Sequence, residues 1–548
     1  MRNITFHKYS FICLFFCLSQ PCILSAQEAL KSAEEEYYDF LSLQGLAERP
    51  ALNYRTFSDS VWAVDEDASH PWQSQNLGIW NSLFGDFRVR AYGPELFMSG
   101  NTAAPYGQND GVLWQGRGFN ALLKGGVRFE GYGIELTILP HFAFSQNAEF
   151  DIMPSAYESN FGYIWGIAYN TGADAPQRFG DKPFFDWDFG DSEIRYTWKT
   201  LTIGFGTQAI WLGPSYINSI LHSNNAPAYP KLDIGLRRQR VTLPWLGWYI
   251  GDVETRIWAG YLRESNFFDD NPTNDHNLIT GLAFAYAPSF LPGLTVFFNE
   301  TYIAKWIPES ANTLIDLFLP FRNWGGADKW DIRVSAGFDY FLPQANIKIY
   351  AEIGYNDTPA PDLKEYLSNF SHTIAFTAGF KKGIKIFNSK KIFGELLFEY
   401  THIEMSPFAS QELWANTFYM HHITTQGYTN RGQWLGSGIG TGGNSQFLAF
   451  KIFYPNGASR IFISRYNPDN DFIIRHTTPG PGYPGKPILE TDLWNHKTVL
   501  AFGVNSNYFF SKFCNLTLDV IYSPILNIHY DNLTSHNFHI AIGNKISL

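Results

Sequence analysis

The chain has 548 residues, a formal net charge of −11, and 17% aromatic against only 17% charged residues. Charged residues at that level, with 47 glycines and a slightly negative mean hydropathy, exclude a disordered chain and a helical membrane protein. They fit an aromatic-rich β protein, and no basic patch marks a nucleic-acid surface.

The N-terminus reads as an export signal over residues 1–26. Arg2 and Lys8 give a positive start, "FICLFFCLSQPCIL" is a short apolar run, and Ala26 is a small residue before Gln27. Cys13, Cys17 and Cys22 fall inside it, so the mature chain keeps Cys514 alone and cannot form an internal disulfide. Residues 27–80 follow as a periplasmic helical segment. Leu30, Ala33, Tyr37, Phe40 and Leu41 recur at helical spacing, with Gly45 able to end the helix and Pro50 just beyond.

From about Phe84 the pattern changes to period two, and residues 81–548 read as strands. "DIRVSAGFDY" puts Ile332, Val334, Ala336, Phe338 and Tyr340 on one face and Asp331, Arg333, Ser335, Gly337 and Asp339 on the other. "EIRYTW", "NIKIYAEI" and the C-terminal "NFHIAIGNKISL" alternate in the same way. A soluble β fold would bury the apolar face; an outer-membrane barrel turns it to lipid and keeps the polar face in the lumen. Charges recurring on the second face, aromatics near strand ends and an alternating last strand ending on Leu548 favour the barrel. No mature segment reaches ~18 uninterrupted apolar residues, so no helix spans a membrane.

One long connection stands out: "WLGPSYINSILHSNNAPAYPKLDI", from Trp211. Pro214, Pro227 and Pro230 forbid regular pairing, while Asn218, Asn224 and Asn225 can bond irregular backbone. Ile217, Ile220 and Leu221 are too apolar to lie in water. Non-helical backbone at membrane depth survives only under protein or beside a wet cavity, so residues 211–231 are expected to fold inward as a plug.

This segment resembles part of the Wzi-type capsule assembly proteins, whose pattern is W-G-P-G followed by S-L-L-L-S-N-N-A-P-P-F-P. Here Leu212 is an extra residue and Ser215 replaces the second glycine. "FLSLQGLAERP", "NDGVLWQGRGFN", "PQRFGDKPF" and "HHITTQGYTNRGQWLGSGIGTGGNSQ" resemble further family segments in the family's order, with Asn444 where an acidic residue is common. The resemblance implies an all-β fold: a large antiparallel transmembrane barrel of about 18 strands in the outer membrane of a diderm bacterium, with a short N-terminal periplasmic helical part. It implies a non-enzymatic, lectin-like role in attaching or organising capsular polysaccharide at the cell surface. Outer-membrane lipid and lipopolysaccharide would be neighbours, and capsule export machinery is a further partner that such a role admits. A porin or substrate-specific channel is the alternative.

Trp114, Trp211, Tyr216, Asn218, Asn224, Asn225, Tyr428, Arg431 and Trp434 have the chemistry for a glycan: aromatic faces for sugar rings, amide and guanidinium groups for hydroxyls. The competing reading is that they fill the lumen and satisfy one another. No cofactor or metal is expected. "GIGTGG" matches a dinucleotide fingerprint at Gly438, Gly440 and Gly443, but without a βαβ unit it reads as a turn. His421 and His422 point to opposite faces if extended, so they and His402 make a poor metal set. No G-x-S-x-G elbow is present, and Glu352, Glu395 and Glu399 fit lumen-facing strand positions rather than a glycosidase pair.

Overall fold

A computed structural model describes residues 25–27, 30–65, 69–75, 77–153, 161, 173–269, 271–319, 330–356, 374–386, 389, 391–404, 418–421, 423–471, 496–530 and 532–547. Most of residues 1–26, read above as an export signal, together with His422 and Leu548, lie outside them. The described strands close into an antiparallel barrel of 18 strands. Closure is made by the last strand, Thr534–Ile546, pairing with the first long one, Arg88–Asn101, in a register that sets His539 opposite Asn101 and Lys545 opposite Glu95. Two of the 18 are interrupted. Ile134–Ile138 and His141–Ser145 are parted at Leu139 and Pro140, which lacks a ladder donor; Phe184–Asp188 and Glu193–Trp198 continue the neighbouring wall.

Alternation explains why these sequences choose strands. In Asp331–Leu342, Asp331, Arg333, Ser335 and Asp339 are buried while Phe338 is exposed. Glu193 and Arg195 are buried and Ile194, Tyr196 and Trp198 exposed; Asn537, His539 and Ala541 are buried and Phe538, Ile540 and Ile542 exposed. The exposed set is the lipid-facing belt of an outer-membrane barrel, with Trp198, Trp245, Trp248, Phe290, Phe510 and Phe513 at the short turns as an aromatic girdle.

The lumen is filled. Arg128, Arg195, Arg256 and Arg333 are fully buried there, and each meets a carboxylate, as a buried charge must. Arg195 bonds Glu193 and Asp233, Arg256 reaches Asp233 and Asp59 at 2.6 and 2.7 Å, and Arg333 reaches Asp331 at 2.5 Å. Asp59 belongs to the N-terminal segment, so that segment is tied into the network of the wall.

The helix Ala33–Leu43 forms where its spacing predicts. Ser32 caps it, its hydroxyl accepting from the Glu35 amide at 3.1 Å, and Gly45 leaves it with a φ of +73°. Tyr37, Phe40, Trp72 and Phe453 stack beneath it. Its acidic face meets bases near the short-turn end of the wall, the end that faces the periplasm in such barrels. Glu34 meets Lys545 at 3.0 Å, Glu36 meets Lys451 at 2.5 Å, and Asp39 meets Lys381 and Arg49 at 2.6 and 2.5 Å. Burial alone would raise Glu36, but Lys451, Arg460 and Lys31 outweigh it and hold the carboxyl well below its ordinary range.

Candidate functional site: a cavity beneath the long loops

The connection 207–230 lies within the ring of strands. Ile210, Trp211, Leu212, Ser219, Ile220 and Leu221 are fully or almost fully buried. Its backbone is gripped by the wall. Glu399, itself 1% exposed, accepts the amides of Tyr216, Ile217 and Asn218 and the Tyr350 hydroxyl; the Ile217, Asn218 and Tyr350 bonds measure 3.0, 2.9 and 2.7 Å. Glu254 does the same for the N-terminal segment, accepting from Leu52, Asn53 and Tyr54 at 2.8, 3.0 and 2.7 Å. Irregular backbone exposes successive N–H groups, and a carboxylate, with two oxygens, can accept several of them at once. Gly213, at a φ of +77°, is needed where a Cβ would lie 2.5 Å from Glu352.

Between this segment and the wall lies a cavity of about 420 Å³. Tyr106, Trp114, Tyr216, Phe462 and Tyr466 give it aromatic faces; Asp110, Asn218, Asn225, Gln433, Arg460 and Asp519 give it polar ones. A second cavity, about 290 Å³, lies toward the helix and shares Lys31, Phe97, Asn109, Asp110 and Leu113 with the first. Burial, with repulsion from Asp519 added and a bond from Gln115 opposing, pushes the Asp110 carboxyl up to about 7. Burial brings the Lys31 ammonium down to about 8, with Glu36 resisting.

The nine candidate residues divide by place. Trp114, Tyr216, Asn218 and Asn225 line the larger cavity, and Asn224 lines the smaller one. Tyr216 donates its hydroxyl to Glu36 at 2.7 Å and lies 3.7 Å beneath Lys31, a cation–π distance. Asn218 donates to Ser445 and accepts from Ser437, both at 2.9 Å. Asn225 accepts from the Asn109 amide at 3.1 Å and donates to the Trp434 carbonyl at 3.0 Å. Asn224 differs from its neighbour: its backbone carbonyl accepts from Gly111, while its side-chain oxygen is buried without a partner.

Trp211 and Tyr428 are 0% exposed, one between Lys31 and Arg55, the other bonded to Thr301 at 2.9 Å and under Arg333. Trp434 stacks on Tyr419, and Arg431 pairs with Asp186 near the strand end. Sequence reasoning missed Tyr106, Asp110, Gln433, Tyr466 and Asp519. Asp110 and Gln433 lie inside motifs it used and Tyr106 just before one, so their neighbourhood was the available signal; nothing local marks Tyr466 and Asp519.

Gly440 and Gly442 take positive φ, so the glycine run makes a turn, although Gly438 and Gly443 do not. His421 is fully buried and its Nδ1 accepts the amides of Ile423 and Thr424 at 3.2 Å. Among the described residues, Glu264, Asp269 and Asp275 are the group whose ligand atoms, all within 4.8 Å of one another, could hold a cation. Burial and the repulsion of Asp174, Asp269 and Asp275 push Glu264 up to about 9.

A family model described as capsule assembly protein Wzi matches residues 145–474. Among solved structures, the chain is similar to Wzi of Escherichia coli, an outer-membrane protein involved in group 1 capsule assembly and a carbohydrate-binding β-barrel. That match has 14% identity over 84% of this chain and 85% of the other, at a TM-score of 0.53. OprB of Pseudomonas putida matches at 9% identity over 84% and 94% of the two chains, at 0.36, and OccAB1 of Acinetobacter baumannii at 9% over 83% and 96%, also at 0.36. No curated protein matches. With more than half of its length under that family model, and with 18 strands closed around an inward-folded Pro/Asn-rich segment, the chain belongs to the Wzi family of outer-membrane capsule assembly proteins.

Proposed function

We propose that this protein binds capsular polysaccharide at the cell surface and holds it there without catalysing a reaction. The observation that carries the reading is the larger cavity, where aromatic faces and hydroxyl-bonding groups converge under the long loops, as sugar recognition requires. Tyr106 and Trp114 offer ring faces and Gln433 an amide; Tyr216, Asn218 and Asn225 line the cavity with their polar groups already bonded within the protein, and Asn224, with an unpartnered side-chain oxygen, extends the set toward the second cavity. Trp211, Tyr428 and Trp434 back the wall, and Arg431 serves at the rim. Glu399, 1% exposed, spends its oxygens on backbone amides and a tyrosine hydroxyl, a structural task rather than an acid–base one. The helix Ala33–Leu43, seated on its ring of bases, closes the periplasmic mouth and provides the surface that export machinery would meet. A channel is the second reading, motivated by the residues the two cavities share. The test is a deletion strain. Capsular polysaccharide should be made at its usual level and recovered from the medium rather than the cells. Unchanged cell-bound capsule overturns the proposal, and steady open conductance of the purified barrel in planar bilayers favours the channel.

A further inference from the structure

The strand Leu294–Lys305 breaks the alternation of the barrel. Asn299 and Thr301 face the lumen, where they bond Asn53 and Tyr428. Val296, Phe298, Glu300 and Tyr302 therefore face outward, toward lipid. Val296 is exposed as that face requires, yet Glu300 is 0% and Tyr302 4% exposed, and the Tyr302 hydroxyl donates to Glu300 at 2.8 Å. Thr280, opposite Tyr302 on the next strand, faces the same way and is also fully buried. A carboxylate on the lipid side of a barrel is costly unless something covers it.

The following segment is built to be that cover. Pro308–Asn312 and Thr313–Asp316 form a short helical stretch packed against His276–Pro288. Its polarity is inverted. Ser310, Thr313 and Asp316 are buried at no more than 1% exposure, with Leu317 the one apolar side chain buried beside them, while Trp306, Ile307, Leu314, Ile315, Phe318 and Leu319 are exposed. Ser310 bonds the Lys305 carbonyl at 2.6 Å, and Asp316 accepts from Trp330 at 3.1 Å and is an electrostatic neighbour of Glu300. A helix in water points its polar side chains outward. This one points Ser310, Thr313 and Asp316 at the protein.

We infer that residues 306–319 lie on the outside of the barrel wall within the outer leaflet, their apolar face taking lipid acyl chains and their polar face sealing Glu300 from the membrane. Continuity identifies the occupant. Trp306 packs edge-on against Tyr261, 4.8 Å away, and Tyr261 sits on the outward face of its own strand, opposite the lumen-facing Trp258 and Leu262. The apolar patch thus extends the lipid-facing belt instead of standing apart from it. Pro308, Glu309 and Asn312, exposed at the start of the segment, suit the headgroup level. The segment would fix how deeply this side of the barrel sits, and the inference does not depend on the glycan reading.

The test uses the full chain with Cys514→Ser, single cysteines at Ile315, Phe318 or Leu319, and a nitroxide label in vesicles and in outer membranes. Ile461, on the lipid-facing belt, and Thr273, on an exposed loop, are the controls. Labels at 315, 318 and 319 should relax strongly with oxygen and lose relaxation by a water-soluble nickel chelate, as at 461. Nickel accessibility like that at 273 in either preparation would overturn the inference. So would protection from both reagents in outer membranes, which would mean that a protein covers the patch.

Discussion

Replacing Glu399 with alanine should unseat the inward segment while leaving the barrel closed. The carboxylate accepts three consecutive amides, Tyr216 to Asn218, and the Tyr350 hydroxyl, in a site it fills almost without exposure. Stranding a buried donor costs about 1–3 kcal/mol, so four donors give roughly 4 kcal/mol at the low end, where the neighbouring cavity admits water to some of them. That equals about a thousandfold change in the seated-to-unseated equilibrium. The strand ladder on either side of residue 399 is untouched, so the loss belongs to the segment and not to the wall. Hydrogen exchange followed by mass spectrometry reads it directly. Protection of peptides spanning 212–223 should fall by about three orders of magnitude, while those in Asn444–Tyr454 keep theirs. Glu399→Gln retains one acceptor oxygen and should fall between, losing about 1–3 kcal/mol. Unchanged protection in 212–223, or an equal loss across the neighbouring strands, would refute the idea that this carboxylate holds the segment.

Three further outcomes follow from the same geometry. Glu254→Ala should free residues 52–54 in the same way, seen as new tryptic cleavage after Arg55 in detergent, the bond after Arg49 being closed to trypsin by Pro50; cleavage at the wild-type rate would count against the parallel. Lys451→Glu should repel Glu36 and loosen the helix Ala33–Leu43, seen as faster proteolysis within it; resistance equal to that of the wild type would show that the pair contributes little. Asp110 has a raised carboxyl, so its folded form is fully favoured below the ordinary carboxylate range and loses stability as pH rises through about 7. Asp110→Asn should therefore raise the melting temperature at pH 8, by a stabilisation on the order of 2–4 kcal/mol, and leave it unchanged near pH 4; equal melting at both pH values would contradict the assignment.

The strands were legible because lipid and lumen impose opposite chemistry on alternate residues, and sequences such as "DIRVSAGFDY" carry that contrast without help from tertiary context. The helix Ala33–Leu43 was legible through its spacing and Gly45, but its ring of bases was not, since Lys381, Lys451 and Lys545 lie hundreds of residues away. The inward course of the Trp211 segment followed from prolines that forbid a strand and apolar residues that avoid water. What held it did not: Glu399 reads locally as one more lumen-facing carboxylate. The candidate site was half legible. Trp114, Tyr216, Asn218 and Asn225 share one cavity, whereas Trp211 and Tyr428 have the same chemistry and are enclosed, because composition reports what a side chain can bond and not which neighbours already bond it. The inverted stretch after Lys305 was opaque for a related reason. Its apolar residues resemble a core helix, and only the outward register of Glu300 shows which side they cover.

Binding of the host's own capsular polysaccharide by the purified barrel is the decisive measurement. Titration in lipid nanodiscs should give saturable binding that weakens when Trp114 and Tyr106 are replaced by alanine, with hydrogen-exchange protection of residues 212–223 unchanged in that variant. Absence of binding by the intact barrel, or binding indifferent to those two replacements, would contradict a glycan site in the cavity.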